Sequence, residues 1–233
     1  MKARKQKEWC DFSHMAFDID GTLLNSNIAH VWAWQDAIEK ENLFLPHTTL
    51  FLQMGLPGNQ ILEKFSYVFK DKIVAKRIGE NAAKFYIEKY VDLIAPYDGV
   101  YDFLSLLKSN RRKIYALTSA SSGEANSMLK RFKLNPYFDL VLTKEDLGAG
   151  KPTAEPFLKL RERLGTKADL ISFGDSPFDL KASSAAGVPF VYLGHGGFPR
   201  EWFSKARACF FNINHILESF KAREKASMKT AAA

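Results

Sequence analysis

Two carboxylates stand two residues apart at the end of an apolar run near the start of the chain. The run 14–17 leads into Asp18, and Asp20 follows before Gly21 and Thr22 break the pattern. If this run is a β-strand, alternate residues point to the same side, so both carboxylates face one site at the strand's end. Neighbouring carboxylates repel each other unless a cation or a shared proton lies between them. The spacing therefore favours a metal or proton-transfer site, although an acidic turn would contain the same residues.

Strand and helix patterns alternate through the second half of the chain. Short apolar segments predict strands, and segments with helical spacing separate them. Together with the first strand, this alternation predicts an α/β fold, with a Rossmann-like parallel sheet core and helices on both faces. The predicted strands are 14–19, 113–118, 138–143, 169–173, 188–193 and 208–211, and the predicted helices of this part are 100–109, 122–132, 152–164 and 178–186.

Polar residues occur where several of these strands end. Thr118 and Ser119 end the second strand, and Lys151 opens the helix after the third. Asp175 ends the fourth strand, and Asp179 follows about one helical turn later. Because ligands of open parallel sheets bind beyond the carboxyl ends of the strands, we expect these side chains to meet the paired carboxylates at one edge of the sheet.

Residues 25–95 contain helical spacing and no strand signal, which predicts a helical cap inserted after the first strand. The predicted helices of this cap are 27–41, 60–69 and 73–90, separated by the breaker-rich segment 55–59. The sheet core then comprises 13–24 and 96–220. Residues 1–12 and 221–233 remain as basic tails, which we expect to be solvated and mobile.

Composition restricts the function classes further. The chain has 233 residues, 46% of them hydrophobic, and a formal charge of +7 that lies largely in the two tails. A nucleic-acid partner is therefore not expected, and no apolar stretch is long enough to cross a membrane. Two cysteines imply no disulfide framework, which fits the reducing cytoplasm. We expect a monomer or a homodimer.

Four short segments, taken in order, resemble the motifs of the haloacid dehalogenase superfamily of phosphotransferases. They are Asp18-Ile19-Asp20-Gly21-Thr22, Leu117-Thr118-Ser119-Ala120-Ser121, Gly150-Lys151-Pro152 and Gly174-Asp175-Ser176-Pro177-Phe178-Asp179. The resemblance spans about residues 14–215. The helical insert is similar to the cap of the phosphoglycolate phosphatase and β-phosphoglucomutase group.

The resemblance implies a magnesium-dependent phosphatase of a small phosphorylated metabolite. Asp18 would be the nucleophile that forms an aspartyl phosphate, and Asp20 the general acid and base. Mg²⁺ would be held by the carboxylates of Asp18 and Asp175 and the carbonyl of Asp20, with Asp179 as metal-side support or as a partner of Lys151.

The same resemblance suggests which groups hold the phosphate. Lys151 and Ser119 would bind its equatorial oxygens, and the Ala120 amide would be a neighbouring donor. Counting from the strand favours Thr118 as the phosphate-binding hydroxyl, whereas comparison with Ser-Ala-Ser variants of the family favours Ser119, which we prefer.

The sequence says less about the leaving group of the substrate than about the phosphate-binding groups. The cap loop 53–60 offers Gln53 and Asn59 as substrate contacts and contains no cation, which suggests a hydroxylated, weakly charged leaving group. The same lack argues against the main alternative, a sugar phosphomutase of the β-phosphoglucomutase kind, although His30 and Trp34 resemble cap residues found there. A non-catalytic binding protein on the same fold is a weaker alternative, because no catalytic position is lost.

Overall fold

A six-stranded parallel sheet lies at the centre of the computed structural model, which describes residues 7–165 and 168–231. The sheet order is β3-β2-β1-β4-β5-β6, and every neighbouring pair of strands is parallel. The predicted α/β fold is thereby confirmed. The strands are β1 (His14–Phe17), β2 (Lys113–Leu117), β3 (Leu140–Leu142), β4 (Leu170–Gly174), β5 (Phe190–Leu193) and β6 (Ala208–Phe210).

Helices cover both faces of the sheet because the strands present apolar side chains on both faces. Met15 and Phe17 of β1 belong to one buried cluster and Ala16 to another on the opposite face. The first cluster contains residues of α5 (Val100–Ser109), α6 (Ser122–Arg131) and α9 (Ile213–Ala231), and the second contains residues of α7 (Glu155–Leu164) and α8 (Pro177–Ala185).

The strand order places the ends of β1 and β4 side by side at the centre of the sheet. Their register aligns Phe17 with Phe173, and the Asp18 amide donates to the Phe173 carbonyl at 3.0 Å. The residues that follow both strands therefore emerge at the same edge. Connections from β1 and β4 leave in opposite directions there, which opens a crevice at this edge.

The segment 25–95, which we call the helical insert, lies between β1 and β2 in the chain. It consists of α1 (Asn27–Glu39), α2 (His47–Phe51), α3 (Gly58–Lys64) and α4 (Lys72–Phe85), followed by a π-helical turn at Tyr86–Tyr90. The helix α2 was not predicted. Trp34, Ile38, Phe65 and Ile78 form an apolar centre shared by α1, α4 and the chain after α3.

The chain ends differ from the predicted tails. Trp9 is buried and its ring packs edge-on against Phe210, with the two centroids 5.2 Å apart. At the other end, α9 continues through the segment expected to be a tail, and Arg223 lies 3.3 Å from Glu8. The prediction of a solvated tail is therefore wrong for Trp9, Cys10 and Phe12, whose side chains are buried, whereas 221–226 are helical and mostly exposed. Residues 1–6 and 232–233 lie outside the described residues.

Within residues 7–165 and 168–231, no helix is both long enough and apolar enough to cross a membrane.

Candidate active site

Three buried carboxylates meet where β1 and β4 end. Asp18, Asp175 and Asp179 each present an oxygen, and these oxygens all lie within 4.8 Å of one another. Asp18 follows β1, Asp175 follows β4, and Asp179 lies in the first turn of α8, whose N-cap is Ser176. Burial raises the pKa of Asp18 well above its usual range, and burial together with the charge of Asp179 raises the pKa of Asp175 to about 7.

Lys151 is the cation of this cluster. Its side chain is 2% exposed, its ammonium group pairs with Asp18, and it lies 2.7 Å from an oxygen of Asp179. Burial opposes its charged form, but the charges of Asp179 and Asp18 outweigh burial and raise its pKa above the usual range. Lys151 lies in the loop before α7, which begins at Glu155, so the predicted helix start at residue 152 is three residues too early.

The two carboxylate oxygens of Asp179 have different partners. One oxygen accepts from the amide and hydroxyl of Ser176, at 3.1 and 2.6 Å, and so closes the capping box of α8. The other oxygen faces Lys151. Gly174 packs directly against this side chain, since a Cβ at position 174 would lie 2.6 Å from the Asp179 carboxyl carbon. A larger residue at 174 would therefore displace Asp179.

The carboxylate of Asp20 points away from the cluster and toward the helical insert. It accepts from the Ser26 hydroxyl at 2.6 Å and lies 3.1 Å from Nε2 of His30, a residue of α1. The His30 ring stacks on Tyr86, with centroids 3.8 Å apart. Burial alone would raise the pKa of Asp20, but the charge and hydrogen bond of His30 and the Ser26 hydroxyl hold it below its usual value.

The loop after β2 presents Ser119 rather than Thr118 to the space beside Asp18. Ser119 and Ala120 line the same cavity as Asp18 and Asp20, and the Ser119 hydroxyl donates to the Gly55 carbonyl at 3.1 Å. Thr118 is buried, and its hydroxyl accepts from the Ala120 amide at 3.1 Å. This arrangement favours Ser119 as the phosphate-binding hydroxyl.

The cavity has a volume of about 180 Å³ and lies between the sheet edge and the helical insert. On the insert side its wall is mainly apolar and includes Trp34, Leu56 and Ile61. On the core side it contains two charged residues that the sequence did not single out, Glu124 at the start of α6 and Lys144 after β3. Helical spacing and loop composition alone carry no signal that would have identified them.

Two predicted substrate contacts lie elsewhere. Gln53 is buried and donates to the Thr49 carbonyl at 3.0 Å, and it does not line this cavity. Asn59 lines a neighbouring, wider depression that shares Gly58, Glu124 and Lys144 with this cavity. The loop 52–57 instead contributes Met54, Gly55 and Leu56 to the cavity wall.

The carboxylate cluster fits a divalent cation of the magnesium type. Its donors are all carboxylate oxygens, which hard cations prefer. Burial, followed by the charge of Asp179, raises the pKa of Asp175 to about 7, so a bound cation would favour its ionised form. The residues that would hold Mg²⁺ through their carboxylates are Asp18 and Asp175, with Asp179 next to them.

A family model described as haloacid dehalogenase-like hydrolase matches residues 15–193, and the chain belongs to this family. The resemblance inferred from the four motifs is thereby confirmed. The solved structure of a hydrolase from Pseudomonas syringae superposes with a TM-score of 0.82 at 25% identity, covering 90% of this chain and 98% of the other.

Relatives of this chain include proteins named as phosphatases. The chain is 29% identical to a phosphorylated carbohydrates phosphatase of Thermotoga maritima, over 76% of this chain and 82% of that protein. It is 29% identical to a phosphoglycolate phosphatase of Chromobacterium violaceum, over 78% of this chain and 85% of the other. It is 28% identical to the pyrophosphatase PpaX of Bacillus cereus, over 82% and 84% respectively.

Proposed function

We propose that this hydrolase is a Mg²⁺-dependent phosphatase that cleaves a small phosphomonoester through an aspartyl-phosphate intermediate. The observation that carries the proposal is the buried cluster of Asp18, Asp175, Asp179 and Lys151 next to a cavity that Asp20 also lines. Burying several carboxylates together costs folding free energy. Phosphoryl transfer would require such a cluster, because one carboxylate acts as the nucleophile and the others bind a cation.

The reaction would proceed in two displacements. An oxygen of Asp18 attacks phosphorus, the ester oxygen leaves with a proton from Asp20, and an aspartyl phosphate forms. Water then attacks the phosphorus, Asp20 takes a proton from that water, and inorganic phosphate leaves as the Asp18 carboxylate is restored.

Asp20 must be protonated in the first step and ionised in the second. His30 and Ser26 hold it ionised in the free chain, because they lower the pKa of its carboxyl. A phosphate dianion beside Asp20 adds negative charge and favours its protonated form while substrate is bound. Because Asp20 gives its proton to the departing ester oxygen, it is left ionised, which is the form that the second step requires.

The remaining groups would bind and orient the phosphoryl oxygens. The Lys151 ammonium, the Ser119 hydroxyl and the Ala120 amide are the proposed donors, although in the free chain Lys151 pairs with carboxylates and the Ala120 amide with Thr118. Mg²⁺ would supply charge compensation between the nucleophilic carboxylate and the phosphate dianion.

The size of the cavity supports a small metabolite as substrate. The phosphatase names of the relatives support the reaction class, and their named substrates are small phosphorylated compounds. We place the activity in the cytoplasm, which agrees with the cysteine content.

The direct test is release of inorganic phosphate from a panel of phosphorylated metabolites and a generic aryl phosphate, with and without Mg²⁺. Asp18→Asn should abolish turnover in a folded protein, because an amide is not a nucleophile toward phosphorus. Asp102→Asn, at an exposed position of α5, is the matched control and should keep full activity. Hydrolysis by folded Asp18→Asn at the wild-type rate would overturn the assignment.

One observation favours the phosphomutase alternative: His30 and Trp34, which resemble residues of those enzymes, both line the cavity. Against it, none of the described insert residues that line the cavity is a lysine or arginine, so a second phosphate would meet no cation on that side. Product analysis with a hexose 1-phosphate and a trace of hexose bisphosphate separates the two. We expect free phosphate, and rapid formation of hexose 6-phosphate with little free phosphate would favour the mutase.

A further inference from the structure

Asn27, the first residue of α1, connects the helical insert to the carboxylate cluster. Its side chain is buried, and its amide nitrogen donates to Asp175 and to the Gly196 carbonyl, both at 2.9 Å. The other oxygen of Asp175 accepts from the Thr22 hydroxyl at 2.9 Å. Both oxygens of this carboxylate are thus oriented by neutral donors, one of which belongs to the insert.

The backbone at Gly21 and at Gly196 packs closely against the contact between Asn27 and Asp175. A Cβ at Gly21 would overlap the Asn27 amide and the Asp175 carboxylate, and a Cβ at Gly196 would overlap the same carboxylate. Gly21 also has a left-handed φ of +75°. A side chain at either glycine position would displace this contact, so the close approach of Asn27 and Asp175 depends on glycine at 21 and 196.

The loop that carries Gly196 is held by both segments that connect the insert to the core. Nε2 of His195 lies 2.9 Å from the Thr22 carbonyl, on the outgoing segment. The His195 ring stacks on Tyr97 of the returning segment at 3.7 Å, and the Tyr97 hydroxyl donates to the His195 carbonyl at 3.1 Å. Any rotation of the insert about these segments would therefore disturb the partners of Asn27.

We propose that Asn27 is a positioning residue that couples the placement of the helical insert to metal binding at Asp175. The inference rests on the proposed function, since that function includes the metal. The two donors hold the Asp175 carboxylate in one orientation beside Asp18 and Asp179. Because coupling between two equilibria is reciprocal, bound Mg²⁺ should in turn favour the insert position in which Asn27 makes these contacts.

The experiment is a calorimetric titration of Mg²⁺ alone into the full chain, without substrate. Asn27→Ala should weaken Mg²⁺ affinity by about tenfold relative to wild type. Gln35→Ala is the matched control, because Gln35 is a buried amide of the same helix that contacts Glu39 instead of the cluster. Its affinity should stay within about twofold of wild type. If Asn27→Ala does not fold, Asn27→Ser replaces it, since a serine hydroxyl is too short to reach both acceptors.

Hydrogen exchange with and without Mg²⁺ provides the second readout. In wild type, Mg²⁺ should slow exchange of the amides in 22–27 and 94–99, and this protection should be lost in the Asn27 variant but kept in Gln35→Ala. Equal affinity and equal protection in folded wild type and Asn27 variant would overturn the inference alone. A wild-type chain that binds no Mg²⁺ would overturn the proposed metal site, and the inference with it.

Discussion

Replacing Lys151 with methionine removes the positive charge from the carboxylate cluster while keeping the length of the side chain. Lys151 and its partners Asp18 and Asp179 are each at most 5% exposed, so water cannot replace the lost ion pairs. Removal of one partner from a buried ion pair costs about 3–5 kcal/mol. Asp18 has a raised pKa and can take up a proton, which limits the loss, so we expect about 3 kcal/mol at about pH 8 in metal-free buffer.

Urea unfolding followed by circular dichroism measures this loss. With a slope of about 3 kcal/mol per molar urea, the midpoint should fall by about 1 M. The fall should be smaller at about pH 5.5, where the carboxylates are more easily protonated, and Mg²⁺ should restore part of it. Lys159→Met is the control, because Lys159 is 47% exposed and pairs with Glu162 at 3.2 Å on the surface. It should cost under about 0.5 kcal/mol.

A Lys151→Met variant as stable as Lys159→Met in metal-free buffer at high pH would refute this account. It would mean that the three carboxylates do not repel one another in the folded chain. A destabilised variant that is insensitive to both pH and Mg²⁺ would indicate a packing defect instead of a charge effect.

Three further predictions concern pH, metal and substrate. The metal-free wild-type protein should lose stability as pH rises from about 4 to about 7 and then level off. The pKa of Asp175 is raised from 3.8 to about 7, so in this range the folded chain keeps a proton on Asp175 that the unfolded chain releases. Thermal melts across this range with and without Mg²⁺ check the prediction, and stability that increases with pH would contradict it. Phosphatase activity should disappear with EDTA and return with Mg²⁺ but poorly with Ca²⁺, which relaxes octahedral geometry; full activity in chelated buffer would exclude the metal role. Lys144→Met should lower kcat/KM by about threefold to tenfold for substrates with a second anionic group, because it removes a cation from the cavity wall. An aryl phosphate whose leaving group carries no charge should be unaffected, and equal losses on both substrates would contradict a role in charge recognition.

The sequence determined the sheet and the position of the carboxylates along it. Apolar strand segments and helical spacing are local signals, and their alternation along the chain predicts a parallel sheet. Asp18 and Asp175 follow two such segments, so the general placement of ligands at the carboxyl ends of strands was enough to predict that they meet. Gly21 and Thr22 marked the break after the first strand, although β1 ends at Phe17, two residues earlier than predicted.

The tertiary structure alone decided which side chains of the insert and of the flanking loops face the cavity. Gln53 is directed away from it, whereas Glu124, Lys144 and Asn27 reach the site. The direction of a side chain on a helix or loop depends on how that element is rotated against its neighbours. This rotation is set by apolar contacts between residues distant in the chain, such as Trp34 with the rest of the insert and Trp9 with Phe210. Spacing along a sequence defines the faces of an element, but only packing determines what each face meets.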